Sequence, residues 1–124
     1  MSRSFTDHER NVLLRLVTGA QQEDVLRAQI DASEYGEPWF RGARSFTIIP
    51  VSNAPVYEAD SGPSAERTPG PGAQVLKDGS QPLHEGNLIG EVFLWLRAGK
   101  ISDLEYSWVT DEMPDSLPAL DQFR

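Results

Sequence analysis

The apolar positions of this chain follow two different periods, and the change between them divides it into a helical start and a β-rich remainder. Val12, Leu13, Leu16, Val17 and Ala20 recur at the three- and four-residue spacing of one helical face. Thr6, followed three residues later by Glu9, has the arrangement of a capping box. Together these predict a helix over residues 7–18, with Gly19 as its stop. A second periodic stretch starts near Gln21, carries Val25, Leu26, Ala28, Ile30 and Ala32 on its apolar side, and must end before Gly36 and Pro38.

Beyond Trp39-Phe40 the pattern is that of strands. Residues 45–51 are rich in β-branched and aromatic side chains, and residues 56–59 resume after a break at 52–55, which predicts two strands joined by a turn. Pro50 has no amide for a central ladder, so the first of them lies at a sheet edge or ends there. Residues 60–72 hold three of the nine prolines and three of the ten glycines with almost nothing apolar to pack, the composition of a flexible surface loop. A short β stretch at 73–77 then runs into a turn at Asp78-Gly79.

The strongest β signal follows. Residues 88–97 are apolar on both faces at their centre, and 101–109 alternate, with Leu104, Tyr106 and Trp108 on one side and Asp103, Glu105 and Ser107 on the other, expected to be wet. A hairpin turning at residues 98–100 joins them, with a loop of two or three residues that leaves the register open. After Thr110, Pro114 and Pro118 forbid regular structure, while Met113, Leu117, Leu120 and Phe123 are spaced to dock the tail on a core. The expected fold is α+β: two N-terminal helices packed on an antiparallel sheet of four or five strands.

The length of 124 residues leaves room for one core, so residues 1–124 read as a single domain with the 60–72 loop set into it. The chain has no cysteine, no apolar leader and no run long enough to span a bilayer, which together point to a cytoplasmic setting and no membrane. Nineteen acidic against eleven basic side chains give a net charge of −8, which repels phosphate backbones and makes nucleic acid an unsuitable partner. The charge concentrates toward the end: Asp103, Glu105, Asp111, Glu112, Asp115 and Asp121 follow one another with no lysine or arginine among them.

Catalytic signatures are missing from the sequence. His8 and His84 stand in no metal-ligand spacing, no serine sits in a G-x-S-x-G turn, and Gly99-Lys100 is followed by Ile101 rather than by the Ser or Thr of a phosphate loop. No catalytic residue, metal ligand or cofactor is expected. Asp103 and Glu105 share a strand face, as a general acid and base or the oxygen ligands of a divalent cation would, and as any solvated strand face does. Asp111 and Glu112, with Asp115, form a loose acidic group without the spacing or glycine of a calcium loop. Trp39-Phe40, flanked by Arg41, and Trp95, Tyr106 and Trp108 are large amphipathic residues of the kind that build binding hot spots; most are expected to be core, and Trp39 and Phe40 are the pair expected to be partly exposed and available for binding.

The segment Gly99-Lys100-Ile101-Ser102-Asp103-Leu104-Glu105, with Trp108, Met113-Pro114 and Leu117-Pro118, resembles the closing hairpin and tail of a group of small actinobacterial proteins without assigned activity. Those begin with a helical Leu-x-x-Gln motif, here Leu26 and Gln29. The resemblance implies the same order of elements and a bacterial cytoplasmic setting, and assigns no catalytic residue. Two functions then compete. One is a non-enzymatic interaction domain, for example an immunity-like inhibitor that meets a basic protein partner with Asp103, Glu105, Asp111 and Glu112. The other is a small-molecule-binding or isomerase/cyclase-like pocket protein with Tyr57, Tyr106 or Glu91 in an apolar cavity. A homodimer through Trp39-Phe40 or an edge strand is compatible with either.

Overall fold

The structure is a computed structural model that describes residues 2–58 and 67–124. Its elements run α1 (Asp7–Val17), α2 (Glu23–Asp31), β1 (Ser33–Pro38), β2 (Phe46–Pro50), β3 (Arg67–Leu76), β4 (Leu88–Arg97) and β5 (Lys100–Trp108), with short 3-10 turns at Glu85–Asn87 and Leu120–Gln122. The capping box forms: Thr6 Oγ1 accepts from the Glu9 amide at 3.1 Å, and the Thr6 amide donates to Glu9 Oε1 at 2.8 Å. Two of the orphan donors at the start of α1 are thereby satisfied.

The five strands form one antiparallel sheet in the order β1-β2-β5-β4-β3, so the α+β architecture read from the sequence holds with five strands. Both helices lie on one face. Val12, Leu13, Leu16 and Val17 of α1 and Leu26 and Ile30 of α2 pack on Phe46, Val92, Leu94 and Leu104 of the sheet, all buried. Burying such side chains contributes roughly 1.5–3 kcal/mol each, the main favourable term for a domain of this size.

The β4–β5 turn is two residues, Ala98 and Gly99, both with positive φ (52° and 77°), between the paired Arg97 and Lys100. This is a type I′ turn, whose twist matches that of the flanking strands. Gly99 is needed on two counts, because an added Cβ would also stand 2.6 Å from the Tyr57 carbonyl oxygen. Ala98 has no such excuse for its left-handed backbone, which costs an alanine roughly 1–2 kcal/mol. Ala98→Asn is therefore expected to stabilise the domain by roughly 0.5–1 kcal/mol, read as a higher urea midpoint at unchanged slope; an unchanged or lower midpoint would refute the strain.

Ser102 is the extra residue of a β-bulge: Trp95 pairs with Asp103 and Leu96 with Ile101, so Ser102 has no partner. The bulge reverses the in-out alternation, which lets Ile101 and Leu104, three residues apart, share the core. It also turns Asp103 to the opposite face beside Trp95.

Several expectations need correction. Residues 67–72, read as loop, are the first part of β3, whose Pro69 and Pro71 are tolerated because β3 is an edge strand and its register shifts between Pro69 and Gly72. Residues 60–66 of that loop lie outside the described residues. Residues 56–58 are not a strand, and Ala59 is outside the description; the partner of β2 is instead β1, whose Gly36 and Pro38 argue against a strand. Gly36 is required there, since a Cβ would overlap the Thr47 hydroxyl. In the tail, Phe123 is buried and Leu117 packs on the core, but Leu120 is exposed.

Each sheet edge is met at one point by a terminal segment. Arg3 exchanges two backbone hydrogen bonds with Tyr35 of β1 (3.0 and 2.8 Å), and Arg124 exchanges two with Gln74 of β3 (2.9 and 3.2 Å). Such caps block edge-to-edge pairing. The first is reinforced by Arg3, whose guanidinium lies 3.8 Å from the Tyr35 ring centroid and donates to both Glu9 oxygens at 2.8 and 2.9 Å. Partial burial raises the Glu9 pKa, but the hydrogen bonds from Arg3 and Thr6 outweigh it and hold the carboxyl below its usual value.

Candidate functional site

The face of the sheet turned away from the helices carries an unusual load of aromatic and charged side chains. Alternation along β4 sends Glu91, Phe93 and Trp95 to this side, and β5 supplies Asp103, Glu105 and Ser107 opposite them in the pairs Trp95–Asp103, Phe93–Glu105 and Glu91–Ser107. The Trp95 indole N–H donates to Glu105 Oε1 at 2.8 Å, a diagonal cross-strand bond, and its ring lies 5.4 Å from that of Phe93. Trp39 enters from the loop between β1 and β2, held there by its own amide donating to the Ser45 carbonyl at 3.0 Å. Its indole N–H donates to Asp103 Oδ2 at 3.0 Å.

Arg67, the first residue of β3, reaches across from the far edge. Its guanidinium carbon lies 4.7 Å from the Trp95 ring centroid and 5.5 Å from that of Trp39, both within cation–π range. Its Nη1 stands 3.9 Å from Asp103 Oδ1, an ion pair longer than a hydrogen bond. Two indole rings, two carboxylates and one guanidinium thus meet over the middle of the sheet.

Asp103 does not lie on a wet strand face as the alternation implied: it is only 8% exposed. A carboxylate removed from water is costly unless it is paired, and here an indole N–H and a guanidinium supply the partners. The neighbouring Ser45 hydroxyl, also buried, accepts from the Tyr106 amide at 2.9 Å and prolongs the short β2–β5 ladder toward the Trp39 loop.

No family model, curated protein or solved structure matches the chain. The chemistry of this face therefore has to be read from its own residues.

Of the residues singled out from the sequence, Trp39, Asp103 and Glu105 are brought together. Trp39 is 37% and Phe40 54% exposed, and Phe40 stands one residue farther along the same loop. Asp111 and Glu112 lie beyond the end of β5, exposed, where the Glu112 carbonyl accepts from the Thr110 hydroxyl. Asp115 lines a groove with His8 and Leu117, on the α1 side of the molecule. The acidic stretch is accordingly not one continuous patch, because Asp103 and Glu105 lie on the helix-free face while Asp115 lies beside His8 of α1. Trp95, expected with Tyr106 and Trp108 to be core, lies instead on this face, and its place beside Asp103 follows only once the bulge is known; Arg67 was missed, because it stands in the stretch whose composition is that of a loop.

The residues proposed for an apolar catalytic pocket do not converge. Tyr106 is in the solid core, where burial pushes its phenol above the ordinary tyrosine pKa and away from the role of a base. Glu91 is exposed on the opposite face, and Tyr57 sits by the hairpin turn, its amide donating to Gly99 at 2.8 Å. A cavity of about 250 Å³ between α2 and the 52–56 segment is lined by Gln29, Ala32, Pro55 and Ile101 among others. Its buried amide, Gln29, is used in structural hydrogen bonds. Among the described residues no group of three or more acidic or histidine side chains is placed to hold a metal, and no helix is long and apolar enough to cross a membrane.

Proposed function

We propose that this domain is a non-enzymatic interaction module that binds a basic protein through the helix-free face of its sheet, with Trp39, Trp95, Asp103 and Glu105 at the centre of contact. The observation that carries the reading is the partly exposed Trp39 and the half-buried Trp95 beside two carboxylates on a face that no helix or strand among the described residues covers. Central aromatics rimmed by charge are the usual make-up of an interaction hot spot. Glu91 on the same face and the net charge of −8 supply attraction toward a positive partner. An immunity-like inhibitor that covers a basic toxin is the specific form this takes, and a reducing cytoplasm suits a chain without cysteine.

The test is capture from the native host on immobilised protein, with the Glu91→Lys/Glu105→Lys variant alongside. Support would be one basic protein retained stoichiometrically at low salt, released at high salt, and bound about tenfold or more weakly by a variant of unchanged melting temperature. Retention indifferent to the charge reversal, or no retained protein, would overturn the reading.

A further inference from the structure

We propose that the cluster of Trp39, Trp95, Asp103 and Glu105 is a receptor for a guanidinium group, which takes an arginine side chain of the partner, and that Arg67 occupies it in cis. This deepens the reading above and rests on it for the identity of the partner as a protein.

The site has the parts that guanidinium recognition needs. A planar, weakly hydrated cation is held by aromatic faces and by carboxylates in its plane. Here two indole rings lie within cation–π distance of one guanidinium carbon. Each ring is fixed in orientation by its own N–H, which donates to a carboxylate at 3.0 Å for Trp39 and 2.8 Å for Trp95. The rings are therefore set before any ligand arrives, which lowers the entropic cost of binding. Sequestration of Asp103 strengthens its attraction for a cation over that of a carboxylate in water.

Arg67 fills this site imperfectly. Its nearest approach to Asp103, 3.9 Å, exceeds the roughly 2.7–2.9 Å of a charge-assisted hydrogen bond. Its side chain remains 37% exposed. An arginine delivered from outside, free to approach in the plane of the Asp103 carboxylate, makes the bond that Arg67 does not. A cis guanidinium that fills the site about nine-tenths of the time would weaken the apparent affinity for an incoming one about tenfold.

Titration with N-acetyl-arginine amide tests the guanidinium site without any partner protein, so its failure leaves the interaction reading standing, while failure of the capture experiment removes a partner protein as the source of the arginine and leaves the guanidinium site itself to this titration. In the wild type, rising ligand is expected to shift the indole N–H resonances of Trp39 and Trp95 and to spare Trp108, which lies on the opposite side of β5. In Arg67→Ala the same shifts should saturate at about tenfold lower concentration, and Asp103→Asn in that background should abolish saturation. The wild-type titration does not depend on the variants folding. No selective shift of Trp39 and Trp95, or equal shifts with N-acetyl-lysine amide or tetramethylammonium, would overturn the assignment and leave Arg67 as a clamp for β3.

Discussion

Phe46→Ala is expected to cost about 3–5 kcal/mol, the range for removing a fully buried aromatic ring. Phe46 is 1% exposed and lies 4.6 Å from the Tyr35 ring and 6.2 Å from the Phe5 ring, centroid to centroid. It is also one of two residues by which β2 pairs with β5, opposite Leu104, the other pair being Thr47 with Asp103. Weak backbone pairing at this seam leaves the ring to hold the two halves of the sheet together. Against a total of roughly 5–15 kcal/mol the loss is a large fraction. Urea unfolding followed by tryptophan fluorescence gives the value, and a loss below about 1 kcal/mol would mean that the seam closes over the gap. Because the β1–β2 loop carries Trp39, the same variant should loosen the Trp39 indole from Asp103 and increase its exposure to acrylamide quenching.

The same seam explains what the sequence could and could not disclose. The helices were legible because their faces are read locally: Thr6, Glu9 and the Val12-to-Val17 pattern are all within one helix and need no partner. The β4–β5 hairpin was legible for the same reason, since the two strands are adjacent in sequence. What failed was whatever a distant partner decides. β1 has the composition of a turn, and its Gly36 is explained only by Thr47 of the neighbouring strand, whose hydroxyl takes the space of a Cβ. β3 begins with prolines and glycines, and becomes a strand because β4 offers it a ladder and its own far side is an edge.

The site suffered most, because it is assembled from three segments whose placement is not read locally. Asp103 and Glu105 were identified as a pair on one strand face, yet the local alternation that identified them also implied water around them. Only the Ser102 bulge, the β1–β2 loop and the pairing of β3 with β4 bring Trp95, Trp39 and Arg67 together with them. Capping of both sheet edges by Arg3 and Arg124 has a further bearing on function. With the other face under the helices, this face is, among the described residues, the broad sheet surface left for a partner, and edge-strand pairing would have to displace Arg3 from Tyr35 or Arg124 from Gln74.

The second large effect is expected at Gln29, the polar member of the Leu26-x-x-Gln29 motif, whose leucine is simply core. Gln29 is 4% exposed, and its amide ties three segments together. Nε2 donates to the Pro55 carbonyl at 2.9 Å and the Gly99 carbonyl at 2.8 Å, while Oε1 accepts from the Ile101 amide at 2.8 Å. Gly99 has a second donor in the Tyr57 amide, so it is the buried Ile101 amide that Gln29→Leu would orphan. Leaving such a donor unpaired costs roughly 1–3 kcal/mol, and loss of the two donated bonds brings the expected total to about 2–4 kcal/mol. Gln29→Glu separates the hydrogen bonds from the packing. The carboxylate still accepts from Ile101 but faces two carbonyl oxygens, so its pKa should rise above the unfolded value of about 4.3. A raised pKa places its full stabilising contribution below that value and removes it as pH climbs through the folded pKa. The Glu variant should therefore approach wild-type stability in acid and fall toward the Leu variant at neutral pH, relative to the wild type at each pH. Faster amide exchange across residues 99–101 in both variants would locate the damage at the hairpin that carries Asp103 and Glu105, and a pH-independent difference would show that packing, not the amide, holds the hairpin to α2.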